Sequence, residues 1–257
     1  SWHLNDTGMS SDKSINPDVI GYIFEKYINQ KDLGAYYTKE DITDYISTST
    51  ILIQVLDNSL IESKKSNIDS SWIWNILKRN PDEFIFEEVK KDLQEVVPAK
   101  KSSNSFLVGF GLPKETAEEF NDRKIRYFNL KNEIASSNEI KAIDLTKWNL
   151  DISKFLIQVI QECNDPHFIS IMWEKMTSLK VLDPTCGSGA FLFAGLRALE
   201  MPYQECITKM HEFSFGDAYE DFNNEFPAIA LKFSKVLAEI GKHPSRKYYV
   251  LKKIVLE

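Results

Sequence analysis

The sequence predicts a mainly α-helical chain that leads into the first strand and helices of an α/β domain. Apolar residues recur every three or four positions over most of the 257 residues, which is the period of an amphipathic helix. One stretch departs from this period. Residues 180–193 begin with a short apolar run and pass through an Asp-Pro pair into a turn of small residues. We expect a strand at residues 181–183, then a tight turn, and then a helix that starts at Ala190.

Charge and composition narrow the range of possible functions. The chain has 31 Lys and Arg against 38 Asp and Glu, a net charge of −7. No global positive field attracts nucleic acid, so contact with DNA would depend on local basic clusters or on another part of the protein. Cys163, Cys186 and Cys206 form no Cys-x-x-Cys pair, which suits reduced thiols in the cytoplasm. No apolar run is long enough for a transmembrane helix, so we expect a cytoplasmic protein without a membrane partner.

The N-terminal half is predicted to be helical. Residues 1–14 are polar and lack periodicity, so we expect a disordered tail or a remnant of expression. Residues 15–150 should form a helical region. Its first helix starts at Asn16-Pro17-Asp18 and ends at Gly34, and a second helix starts at Thr38. The apolar residues of this second helix are Ile42, Tyr45, Ile46 and Ile53.

Further helix signals follow along the chain. Asn80-Pro81-Asp82 is typical of a helix start, and residues 114–136 predict a long charged helix. The basic residues at 123–126 alternate with acids, which favours a solvated face over a phosphate contact. Residues 151–257 should begin the second domain, with helices at 152–160 and 168–176 that pack against the strand. Helices at 201–213 and 226–240, and a last helix or strand after Pro244, should follow.

The turn at residues 183–189 has the chemistry of a ligand-binding loop. Gly187 and Gly189 allow backbone angles that other residues avoid, and without Cβ atoms they let a ligand approach the N–H groups at the start of the next helix. No Lys-Ser/Thr follows the glycines, which excludes a P-loop, and the third glycine of a dinucleotide-binding fingerprint is missing. A turn that only connects a strand to a helix is the simpler alternative.

Two segments resemble motifs of the adenine-N6 DNA methyltransferases. Motif I of that family, Asp-Pro-x-Cys/Ala-Gly-Ser/Thr-Gly-x-Phe-Leu, is matched at every position by residues 183–192. Motif X is similar to Gly34-Ala35-Tyr36-Tyr37-Thr38, and its place before motif I corresponds to the gamma order of the family. Residues 21–29 and 34–42 are most similar to type IIG-like and BREX-associated (PglX-like) enzymes.

The resemblance implies a Rossmann-like domain that binds S-adenosylmethionine (AdoMet) without a metal. In the family, motif X folds over AdoMet, and the position that matches Thr38 meets the methionine carboxylate. For Thr38 the alternative is a plain helix cap, and for the two tyrosines it is packing in a core. The implied cofactor-binding residues are Tyr36, Tyr37, Thr38, Asp183, Pro184, Thr185, Cys186, Gly187, Ser188 and Gly189.

The catalytic tetrapeptide of the family, Asn/Asp-Pro-Pro-Tyr/Phe, does not occur in the sequence. We therefore assign no catalytic residue and expect an N-terminal part, truncated before the catalytic motif and inactive alone, of an enzyme from a restriction–modification or phage-defence system. Double-stranded DNA would be bound by the missing C-terminal part. The acid that holds the AdoMet ribose is not identifiable, and Asp217, Glu220 and Asp221 are candidates by position.

Three further expectations accompany this interpretation. The apolar flank of the lone strand would be open to a second copy of the chain, which would give a homodimer. A different AdoMet enzyme, acting on RNA or on a protein glutamine, would have the same motif I. A non-catalytic helical interaction module that keeps the loop as scaffold is the alternative from another functional class.

Overall fold

The computed structural model describes residues 3–4, 14–15, 38–93, 111–216 and 219–256. Within these ranges, every regular element except two short strands is a helix. Strands β1 (His3–Leu4) and β2 (Ser14–Ile15) pair in parallel, with His3 opposite Ser14 and Leu4 opposite Ile15. The helix expected to start at Asn16 lies outside the described residues.

The described helices range from a single turn to 26 residues. In chain order they are α1 (Glu40–Ser47), a π-helical turn (Thr48–Leu52), α2 (Ile53–Lys65), α3 (Trp72–Arg79), a 3-10 turn (Pro81–Glu83), α4 (Glu87–Lys90), α5 (Ala117–Ser136), α6 (Ala142–Lys147), α7 (Ile152–Glu162), α8 (Pro166–Thr177), α9 (Ala190–Phe215), α10 (Tyr219–Glu225), α11 (Pro227–Ile240) and α12 (Arg246–Leu256).

Helix α9 organises the packing of the described chain. It contacts α1, the π-helical turn, α7, α8, α10, α11 and α12. It also continues through the buried Pro202, so the two helices expected on either side of this position are one. Proline has no N–H group and usually ends or kinks a helix, but Pro202 does not end α9. Further along α9, Tyr203 is buried and its ring lies edge-on to Trp173 of α8, with 5.2 Å between the ring centroids.

The helices predicted at residues 152–160 and 168–176 are confirmed as α7 and α8. Each starts at an aspartate whose carboxylate accepts from a backbone N–H: Asp151 from Lys154 at 3.0 Å and Asp165 from His167 at 2.8 Å. Both helices pack on α9 through apolar faces that are almost fully buried. Burial of such faces supplies most of the driving force for this arrangement.

The strand expected at residues 181–183 does not form, and the prediction of a Rossmann-like α/β domain is wrong for the described chain. These residues have no regular structure; Val181 is 48% exposed and Leu182 is 86% exposed. A strand needs a neighbour for its backbone hydrogen bonds, and the described ranges place none beside it. Helices α7 and α8 pack on α9 instead of on a sheet.

Arg123 of α5 forms a buried ion pair with Glu115, which lies just before this helix, although the sequence predicted that Arg123 belongs to a solvated charge run. Arg123 and Glu115 are both buried, and the Nε and Nη2 atoms of Arg123 each lie 2.7 Å from a carboxylate oxygen of Glu115. Nη1 of Arg123 also donates to the carbonyls of Val89 and Lys91, at 2.8 and 2.9 Å. Arg123 thus ties α5 to the end of α4. The pattern of alternating charges did not predict this role.

Two other helices predicted from the sequence differ from the observed structure. The helix expected at Thr38 begins at Glu40 and has Lys39 as its N-cap residue. Three of its four predicted apolar residues are exposed, since Ile42, Tyr45 and Ile46 remain 41 to 48% accessible, whereas Ile53 is buried. The segment Asn80-Pro81-Asp82 starts a single 3-10 turn and not a helix. In α1 the buried positions are polar, because that side of the helix lies against α9.

Candidate functional site

The loop between α8 and α9 is held in shape by its own polar groups. Oδ1 of Asp183 accepts from the backbone N–H of Thr185 at 2.9 Å and lies 3.3 Å from its hydroxyl. Such an Asx turn fixes the backbone directly after an Asp-Pro pair. Oδ2 of Asp183 is a buried atom, and no described residue supplies a hydrogen bond to it. This oxygen can therefore accept a donor from a bound ligand.

Two glycines shape the end of the loop. Gly187 has φ 53° and Gly189 has φ 84°, in the left-handed region that favours glycine. The N–H of Gly189 donates to the carbonyl of Cys186 at 2.7 Å, and Gly189 is the N-cap residue of α9. A Cβ atom on Gly189 would lie 3.4 Å from the ring of Phe193. The first N–H groups of a helix lack partners within the helix, and glycines beside them leave room for a small polar ligand to approach.

An apolar cavity of about 640 Å³ lies beside the loop. It extends from the end of α8 across the first turns of α9 to the last turn of α12. Lys180 is its only charged lining residue among the described ones. The cavity is lined by Met176 of α8, Val181 of the loop, Gly189 and Phe193 at the start of α9, and Leu256 of α12. The volume falls in the range of small-molecule sites.

Helix α1, which follows the predicted motif X, lies against the first turns of α9. Nη2 of Arg197 is 2.7 Å from a carboxylate oxygen of Asp44 and 3.3 Å from one of Glu40. The hydroxyl of Ser47 donates to the carbonyl of Phe191 at 3.4 Å. The structure therefore brings the helix that follows motif X into contact with the helix that follows motif I.

Not every residue predicted for the site can be placed. Thr38 is half-buried and precedes the N-cap Lys39, so Thr38 itself does not cap α1. Tyr36 and Tyr37 lie outside the described residues. So does Asp217, a candidate for the ribose; Glu220 and Asp221 belong to α10, but their side chains are not described. The ribose contact stays a prediction.

The three cysteines are free, as the sequence predicted, and they differ in environment. Cys186 is exposed in the loop, whereas Cys163 and Cys206 are buried. Burial raises the pKa of the Cys163 thiol to about 12, and burial also raises the pKa of the Cys206 thiol. Both buried thiols are therefore protonated near neutral pH, and only Cys186 is accessible to reagents.

The described part of the chain shows neither a metal site nor a membrane-spanning helix. It contains no group of three or more His, Cys, Asp and Glu side chains that could hold a metal ion. None of its helices combines the length and the apolarity that crossing a lipid bilayer requires.

Sequence reasoning missed the contact between α1 and α9. It singled out neither Arg197 nor its acidic partners. A signal was present, because Glu40, Asp44 and Ser47 recur at helical spacing and so share one face of α1. Nothing local to either helix, however, indicates that this face meets α9, since the partners are separated by about 150 positions in the sequence.

Comparison with known proteins gives one partial likeness. The chain is 46% identical over 54 residues to a Methanocaldococcus jannaschii protein named "Putative type II restriction enzyme and methyltransferase". The match covers 19% of this chain and 5% of that protein, so the chain corresponds to a small part of the relative's length. No family model and no solved structure matches the chain. The likeness supports a relationship with restriction–modification methyltransferases.

Proposed function

We propose that this chain forms the AdoMet-binding N-terminal part of an adenine-N6 DNA methyltransferase from a restriction–modification or phage-defence system. The observation that carries the proposal is the loop at residues 183–189. It combines the complete motif-I pattern with two left-handed glycines and opens directly into the longest described helix. The partial likeness to a restriction enzyme and methyltransferase supports the same class of activity.

The loop residues suit the amino-acid end of AdoMet. The unpaired Oδ2 of Asp183 can accept from the ligand's ammonium group, and the glycine backbone at the start of α9 can come close to the ligand. The hydroxyl of Thr38 would donate to the carboxylate, and Tyr36 and Tyr37 would cover the ligand from the motif-X side. When bound, AdoMet supplies an activated methyl group. The residues of this chain would hold and orient it.

The assignment to a particular type of adenine-N6 methyltransferase rests on motif I and motif X together. Their gamma order and the similarity of residues 21–29 and 34–42 favour a type IIG-like or BREX-associated enzyme. Methyl transfer to an adenine flipped out of double-stranded DNA would need the Asn/Asp-Pro-Pro-Tyr/Phe tetrapeptide, which these 257 residues do not contain. We propose that the complete protein methylates DNA and that this chain alone is inactive.

Calorimetric titration with AdoMet tests the proposal directly. We expect measurable binding to the complete protein and weak or no binding to the 257-residue chain, because no residue among the described ones is assigned to the ribose or the adenine of AdoMet. Transfer of labelled methyl groups to adenine in plasmid DNA is the second measurement. A complete protein that binds no AdoMet would refute the proposal and favour the helical interaction module, whereas methylation of RNA or of a glutamine would correct the substrate.

Replacing Thr38 by Ala in the complete protein should weaken AdoMet binding and leave folding intact. One removed hydrogen bond to a charged group costs roughly 1–2 kcal/mol, which corresponds to about a 5- to 30-fold rise in Kd. Thr50→Ala is a matched control, because its hydroxyl donates only to carbonyls of its own helix, 2.8 Å from that of Ile46. Equal affinity in the two variants would remove Thr38 from the site.

A further inference from the structure

Helices α1 and α9 are joined by charged, polar and apolar contacts. Nε and Nη2 of Arg197 both reach Oδ1 of Asp44, at 3.2 and 2.7 Å, and Nη2 also reaches Glu40. One and a half turns earlier on α9, the Phe191 carbonyl accepts from Ser47. Between these points the helices approach closely, since a Cβ atom on Gly195 would lie 2.9 Å from Cδ1 of Ile51.

This junction connects the two segments that the proposed function assigns to the cofactor. Thr38 lies two residues before α1 begins, and Gly189 is the residue at which α9 begins. The outward apolar residues of α1, such as Ile42 and Tyr45, do not bury this helix against a described neighbour. The placement of α1 therefore depends on its contact with α9 and on its continuation into the π-helical turn and α2.

We infer that Arg197 is a positioning residue for AdoMet, which rests on the proposed function. By pairing with Asp44 and Glu40, its guanidinium fixes α1, and with it the Thr38 segment, in register with the glycine loop. Arg197 lies beyond the loop, and the inference gives it no contact with the ligand. The planar guanidinium can donate hydrogen bonds to both carboxylates at once, whereas the single ammonium group of a lysine is less suited to this geometry.

The test measures steady-state methylation by the complete protein. We expect Arg197→Ala to raise the KM for AdoMet about three- to tenfold, as for the loss of an exposed ion-pair network, with kcat nearly unchanged. Charge reversal at Arg197→Asp should be worse, and combining it with Asp44→Arg should restore much of the affinity. Arg197→Lys should lie between wild type and Arg197→Ala.

The control removes a comparable surface pair elsewhere. Arg79 of α3 pairs with Glu162 of α7 at 2.6 Å, so Arg79→Ala should leave the KM for AdoMet unchanged. Thermal unfolding of each variant accompanies the kinetics. An unchanged KM in Arg197→Ala, or no recovery of affinity in the double variant Arg197→Asp with Asp44→Arg, would overturn the positioning role of Arg197. In that case, AdoMet binding by the wild type would still support the proposed function. Absence of AdoMet binding by the wild type would overturn both.

Discussion

Arg123→Ala is expected to lower the free energy of unfolding by about 3–5 kcal/mol, because it leaves the carboxylate of Glu115 buried without its partner. It also removes the donors to the carbonyls of Val89 and Lys91. Urea denaturation of the chain measures the loss. Arg126→Ala is the matched control, since it truncates an exposed arginine one turn further along α5. Equal stability of the two variants would show that the buried pair contributes little.

The same substitution has a pH signature. Hydrogen bonds from Arg123 lower the pKa of Glu115, and burial opposes them. The folded-state pKa is thus below the unfolded one, so the pair stabilises the fold above the ordinary glutamate pKa and this contribution is lost as pH falls through the lowered value. The stability gap between wild type and Arg123→Ala should therefore narrow on acidification. A gap independent of pH would contradict the ionised pair.

Gly187→Val is expected to abolish AdoMet binding and methylation in the complete protein with little loss of thermal stability. A β-branched residue is disfavoured at φ 53°, at a cost of about 1–2 kcal/mol, and its side chain would intrude where the backbone must approach the ligand. Gly241→Val is the control, because Gly241 also adjoins a helix end but has φ −60°, which any residue adopts.

Two outcomes would contradict the prediction for Gly187→Val. A folded variant that still methylates DNA would end the interpretation of residues 183–189 as the AdoMet loop. Loss of activity through global unfolding would instead support a turn that only connects two elements. Circular dichroism and thermal unfolding, measured on the same preparations as activity, separate the two cases.

The features that the sequence predicted correctly are those with local signals. Helices α7 and α8 follow from apolar periodicity within about a dozen positions each. Gly187 and Gly189 adopt the left-handed angles that their residue type suggested. Both kinds of signal arise from a few neighbouring residues, so tertiary contacts did not override them.

The features that it missed depend on distant partners. Val181 and Leu182 have the composition of a buried strand, but a strand forms only beside another, and that pairing is not encoded in the run itself. Arg123 resembles its solvated neighbours in sequence, and it differs from them because the buried Glu115 and the carbonyls of Val89 and Lys91 lie within its reach. The Arg197–Asp44 contact likewise joins residues far apart in the chain.

The π-helical turn at Thr48–Leu52 keeps one stripe of the helix in phase. Every fourth residue from Thr43 to Ser63 is buried, at positions 43, 47, 51, 55, 59 and 63. A repeat of four residues is longer than the 3.6-residue turn of an α-helix. In a regular helix the buried residues would therefore rotate steadily around the helix axis, away from their partners. The wider π turn offsets part of that rotation. The continuous helical segment from α1 to α2 can thus contact α9 with its first half and α8 with its second half.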